Sequence, residues 1–129
     1  MKTLYIAIIM LFAMQLNAGE HHTTEKKQLI TPTIWAVSNT MFACNLTNVD
    51  TKAHQVQVRI ISNGKVLLES KSLTVKPRHT TNHKTKGLPN GGGPIYCEFT
   101  IEGDEDDFRG VAVLYHGPSG SDFVAVPAW

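Results

Sequence analysis

The chain has 129 residues, with 12 Lys and Arg against 11 Asp and Glu, a formal charge of +1, and 42% hydrophobic residues. That length holds one domain, and the near balance of charge leaves no basic footprint of the kind that neutralises phosphates, which excludes nucleic acid as a partner. The two cysteines, Cys44 and Cys97, have no C-x-x-C spacing and no neighbouring His along the chain, so they make no zinc site.

The N-terminus reads as an export signal. Lys2 is followed by an almost wholly apolar run over residues 4–16, then by the small residues Ala18 and Gly19, then by the polar Glu20-His21-His22. The expected signal peptide is 1–18, with cleavage after Ala18 or one residue later at Gly19. The run falls short of the ~20 residues that span a bilayer, so no stable membrane insertion is expected after cleavage. Removing Lys2 with the signal leaves no net charge. Residues 19–31 are then expected to be a flexible N-terminal segment, and 32–129 a folded domain. Export to the periplasm or the outside exposes the cysteines to an oxidising compartment, where each has only the other as partner.

The remaining chain shows period-two alternation broken by Gly, Pro, Asn and Asp about every eight to twelve residues. Residues 33–38 follow Pro32, which cannot donate to a ladder and suits a strand's start or an edge. Phe42, Cys44 and Leu46 share one face of the next strand. Val56, Val58 and Ile60 alternate with Gln55, Gln57 and Arg59, and Asn63-Gly64 then supplies the positive φ angles of a two-residue hairpin. Residues 65–70 should therefore pair back. Leu73 and Val75 form a short strand stopped by Pro77, and residues 78–86 are polar, with the character of an outer edge strand. A glycine-rich loop at 87–94 precedes Ile95, Cys97, Phe99 and Ile101, which alternate with Tyr96, Glu98 and Thr100. An acidic turn, Asp104-Glu105-Asp106-Asp107, leads to a strand over 108–115, and a second turn at 117–120 leads to the closing strand 122–126.

Cys44 and Cys97 both point toward the core in separate strands, as a bridge between two facing sheets requires. On the chain-entropy account, closing a loop of that size contributes about 4 kcal/mol. The expected fold is therefore an all-β antiparallel sandwich of about seven to eight strands, with one inter-sheet disulfide.

Cys44-Asn45 with Asn48, the hairpin Asn63-Gly64-Lys65-Val66, the strand stop Leu73-x-Val75-x-Pro77, and Tyr96-Cys97-x-Phe99-Thr100-Ile101 with Arg109-x-Val111-Ala112 carry a resemblance. They resemble uncharacterised exported bacterial proteins with an immunoglobulin-like or fibronectin III-like domain. The resemblance spans about residues 40–115, and its motifs are structural, so it implies a fold and no activity. Two features depart from antibody-type domains: no core Trp follows the first Cys, and Tyr96 stands one residue before the second Cys rather than two, on the opposite face.

Candidate chemistry is sparse. His79 and His83 lie four apart, which on an extended chain separates them by roughly 13 Å, too far for one ion. Cleavage after Ala18 would create Gly19-Glu20-His21, whose amine, amides and imidazole suit square-planar Cu(II) or Ni(II); a transition-metal-binding protein using His21, His79 or His83 is the alternative reading. The acidic turn lacks the spacing of a calcium loop. Ser119 lacks the second glycine of a nucleophile elbow, and the glycines at 91–93 precede a strand and have no Lys-Ser/Thr, so no phosphate loop forms. Asn45-Leu46-Thr47 matches a glycosylation acceptor. No catalytic residue and no cofactor are expected. A secreted or periplasmic, non-enzymatic module remains, binding a protein or glycan through the 87–94 loop, with Tyr96, Tyr115 and Trp129 as candidate contacts.

Overall fold

A computed structural model of the chain describes residues 25–38, 40–85, 87–88, 92–116 and 122–128. The expected signal peptide, residues 19–24 with His21, the turn around Ser119, and Trp129 lie outside the described residues. Among the described residues are ten strands: β1 Lys26–Ile30, β2 Ile34–Ala36, β3 Met41–Asn48, β4 His54–Ser62, β5 Lys65–Glu69, β6 Leu73–Val75, β7 Thr80–Lys84, β8 Gly93–Glu102, β9 Phe108–His116 and β10 Asp122–Pro127. A single-turn 3-10 helix, Glu105–Asp107, joins β8 to β9. The larger sheet runs β1-β8-β4-β5, with β2 continuing the β1 edge along β8 and β6 continuing the β5 edge along β4; the smaller runs β10-β9-β3-β7. Every pairing is antiparallel.

Alternation decides which residues meet between the sheets. Val56, Val58 and Ile60 of β4 lie opposite Ile101, Phe99 and Cys97 of β8, all inward and almost completely buried. From the smaller sheet, Phe42, Cys44 and Leu46 of β3 face them together with Ala112 and Leu114 of β9. Each fully buried aliphatic or aromatic side chain contributes about 1.5–3 kcal/mol by leaving water. Gly110 of β9 leaves room for the opposite sheet: a Cβ there would stand 2.9 Å from the Phe99 ring. The Cys44–Cys97 disulfide crosses the same layer, joining β3 to β8 with a Cα–Cα distance of 5.7 Å. The hairpin at Asn63-Gly64 has φ of 49° and 71°, the two positive values that the Asn-Gly pair accommodates.

Two features differ from the sequence reading. The strand count is ten rather than seven to eight, and the sandwich begins at Lys26 instead of residue 32. Residues 26–30, expected within the flexible segment, pair with β8 and insert Leu29 opposite Phe99. A stretch reading KKQLI carries one buried apolar position, too little period to register as a strand; the ladder offered by β8 supplies what local pattern lacks. Thr80–Lys84, within the polar stretch read as an outer edge, is a regular edge strand paired with β3.

Candidate functional site

The outer faces follow from the same alternation. On the larger sheet, Trp35 pairs with Pro94, Ile30 with Glu98, and the row Val66–Ile61–Tyr96 crosses β5, β4 and β8 in register. These side chains share the face turned away from the core. Trp35 is 72% exposed, Val66 49% and Ile30 43%. Ile61, though outward, is buried among its neighbours, beside a bulge between Ile60 and Ile61 that shifts the register of β5. In the middle of this face Arg59 donates to the Glu98 carboxylate, and that pairing raises the guanidinium's pKa above its ordinary value. Further along β8 the face turns polar, with a hollow of about 70 Å³ among Gln55, Gln57, Ser72 and Thr100.

The residues singled out in the sequence do not converge. Tyr96 lies on the outer face of the larger sheet. Tyr115, paired with Met41 and beneath the Lys84 ammonium at 6.0 Å, lies on the outer face of the smaller one, so the two tyrosines do not share a surface. His79 is exposed, its Nδ1 2.8 Å from the Pro77 carbonyl, whereas His83 points inward from β7 with Nε2 3.0 Å from Thr81 Oγ1. Burial pushes the His83 ring below its ordinary value of 6.5. The extended backbone between the two histidines keeps them apart. His79, Lys76, Thr80 and Thr81 border a hollow of about 340 Å³ between β6 and β7, whose lining holds no carboxylate or thiol. Asn45 faces outward from β3, its side-chain oxygen accepting from the Asn82 amide. Gly92 packs so tightly on β2 that a Cβ would meet the Ala36 carbonyl oxygen at 2.1 Å, which ties the glycine-rich loop to the strand carrying Trp35.

At the opposite end of the larger sheet the structure assembles a cluster that sequence reasoning missed. His54, the first residue of β4, lies with Nε2 2.7 Å from Asp50 Oδ2 and 4.0 Å from Asp107 Oδ2, and with Nδ1 2.7 Å from the Glu102 carbonyl oxygen. Its ring meets Phe108 edge-on at 5.4 Å. Asp50 is held below the usual carboxylate range, first by its hydrogen bond with His54 and then by the Thr51 backbone N–H. The backbone around the cluster is anchored. Fully buried Asn48 donates to the carbonyls of Lys52 and Val75 and accepts from the Asp50 N–H at 2.9 Å, while the Val49 N–H donates to the Asp107 carbonyl at 2.8 Å. Beside it, Lys27 donates to Asp104 at 2.8 Å and holds that carboxyl below its ordinary pKa. Asp50, His54 and Asp107 are the described residues that bring three metal-ligating atoms within 4.8 Å of one another. His54 sits about fifty residues from Asp107 in the chain, and the pairings of β4 with β8 and of β3 with β9 bring them together.

Among the described residues no helix is long and apolar enough to cross a membrane. The chain matches no family model, no curated protein and no solved structure, so its function is read from the residues themselves.

Proposed function

We propose that the chain is an exported, non-enzymatic binding module of the immunoglobulin-like or fibronectin III-like kind that takes a protein partner on the outer face of its larger sheet. The observation that carries this reading is Trp35, 72% exposed within a regular strand and grouped with Tyr96, Ile30, Ile61 and Val66. Leaving an indole in water forgoes the burial that would stabilise the fold, and isolated exposed apolar residues are ordinary but grouped ones mark contact sites. The group draws on five strands in four lateral positions, about 14 Å across at 4.8 Å per spacing. That suits the apolar centre of an interface, where Trp, Tyr and Arg concentrate, with Gln28, Gln57 and Thr100 as a polar rim. The aliphatic share of the face favours a protein over a glycan. The polar hollow beside it supports the glycan as a second reading, since amides and hydroxyls next to aromatic rings also suit sugars. The disulfide supports export, because such bridges persist in oxidising compartments.

The test places a photo-crosslinking residue at Gln28, on this face, or at Asn82, on the outer face of the smaller sheet, in protein exported by its own cells. A discrete protein adduct from position 28 that is absent from position 82 and lost in Trp35→Ala is the expected result. Binding to a glycan array that disappears in Trp35→Ala moves the assignment to the second reading. Neither adduct nor glycan binding, or an adduct indifferent to Trp35, overturns the proposal.

A further inference from the structure

We propose that Asp50, His54 and Asp107 form a binding site for a divalent transition cation of the Zn²⁺ class, at the end of the sandwich remote from the Trp35 face. The site is independent of the function proposed above: seven residues of β4, about 24 Å of extended chain, separate His54 from Ile61.

Three segments supply the ligands: the β3–β4 loop gives Asp50, the start of β4 gives His54, and the 3-10 turn gives Asp107. The histidine is oriented from behind. With Nδ1 2.7 Å from the Glu102 carbonyl, an obligate acceptor, that nitrogen donates to the backbone, and the proton through which Nε2 reaches Asp50 at 2.7 Å is the one a cation would displace. A backbone or carboxylate partner on the far nitrogen is the usual support of a metal-bound imidazole. With that proton gone, the front presents Nε2 and two carboxylate oxygens, and the Asp104 backbone N–H, 3.1 Å from Asp107 Oδ2, holds the second carboxylate in place. A second proton on Nε2 answers Asp50 alone, because Asp107 Oδ2 at 4.0 Å is beyond hydrogen-bond reach. A cation answers all three. With metal–ligand bonds of about 2.1 Å at tetrahedral angles, neighbouring ligand atoms stand about 3.4 Å apart. That value lies between the 2.7 Å and 4.0 Å from His54 to the two carboxylates, and all three ligand atoms lie within 4.8 Å of one another, so side-chain shifts of about an ångström complete the geometry.

The donor set selects the ion. An imidazole nitrogen disfavours Ca²⁺ and Mg²⁺, the absence of thiolate disfavours Cu(I), and two carboxylates with a neutral ring balance a 2+ charge. Side-chain exposures of 13% for His54, 23% for Asp50 and 30% for Asp107 leave a path for entry and room for a fourth ligand from solvent or a partner. Gly103 keeps the site open from below: at φ +147° its missing Cβ would stand 2.9 Å from His54 Nδ1 and 3.4 Å from Asp107 Oδ2. The anchoring of Asp50 by Asn48 and of Asp107 by Val49 pre-forms the ligand positions.

The experiment is calorimetric titration of the metal-stripped mature chain with ZnCl₂, and separately with CaCl₂, followed by absorption spectroscopy with Co²⁺ to read coordination. One Zn²⁺ per chain, no Ca²⁺ binding, and a loss of about tenfold or more in Zn²⁺ affinity in each of His54→Gln, Asp50→Asn and Asp107→Asn are expected. His83→Gln should leave the affinity unchanged. Asp107→Asn, on an outer turn, keeps the test decisive if a change at His54 disturbs folding. No Zn²⁺ binding by the wild-type chain, or binding that Asp107→Asn and His54→Gln leave intact, overturns the site; the second outcome assigns the metal to other histidines.

Discussion

Opening the Cys44–Cys97 bridge tests the architecture most directly. Both cysteines are fully buried, and the bridge closes a loop of 53 residues between facing sheets. Restricting that loop in the unfolded chain removes entropy equivalent to about 4 kcal/mol at 25 °C. Replacing both residues by Ala also deletes two buried sulfurs, adding on the order of 1 kcal/mol each for lost contacts. Against a total of about 5–15 kcal/mol for a domain, the double variant should lose a third of its stability or more. At roughly 4–8 °C per kcal/mol, the cross-link alone corresponds to roughly 16–32 °C in Tm. Three guanidinium unfolding curves separate the contributions: oxidised wild type, the same protein in dithiothreitol, and Cys44→Ala/Cys97→Ala. The gap between the first two isolates the cross-link, because the reduced protein keeps its sulfurs; the gap between the last two isolates the packing. Oxidised and reduced forms agreeing within about 1 kcal/mol, or two free thiols on titration of the exported protein, would refute the reasoning.

Asn48→Ala should destabilise the fold by about 3 kcal/mol in urea unfolding, since it orphans the Lys52 and Val75 carbonyls and the Asp50 N–H at about 1 kcal/mol each. A loss below 1 kcal/mol would mean that water replaces the amide. His83 titrates below 6.5 in the fold because burial disfavours its charged form. Its contribution is therefore intact above 6.5 and is lost as pH falls through the lowered native value, where the unfolded chain binds the proton first. Stability measured from pH 7.5 to 5 should fall more steeply for wild type than for His83→Gln; parallel profiles would show that burial of this ring is not linked to protonation.

How much of the molecule is legible before folding depends on whether a residue's role is set by its neighbours in sequence. Strands such as Val56-x-Val58-x-Ile60 and Ile95-x-Cys97-x-Phe99-x-Ile101 announce themselves, because a period of two with one apolar face has few other uses. The Asn63-Gly64 turn does the same through its positive φ angles. Cys44 and Cys97 pair by elimination. The strand over residues 26–30 is silent, since its single buried side chain acquires meaning only against Phe99. In β9 both faces carry apolar residues, and only the packing of Gly110, Ala112 and Leu114 against the larger sheet shows which face is the inner one.

The chain's own pattern thus determined an all-β sandwich, its hairpin register and its disulfide, each dictated by local period, turn chemistry or the lack of another partner. Tertiary structure alone decided what lies on the surface. It set Tyr96 and Tyr115 on opposite faces, grouped Trp35 with Tyr96 and Val66, and brought Asp50 and Asp107 to His54. Such groupings depend on which strands become neighbours, and antiparallel pairing between distant segments joins residues whose spacing along the chain carries no trace of their meeting.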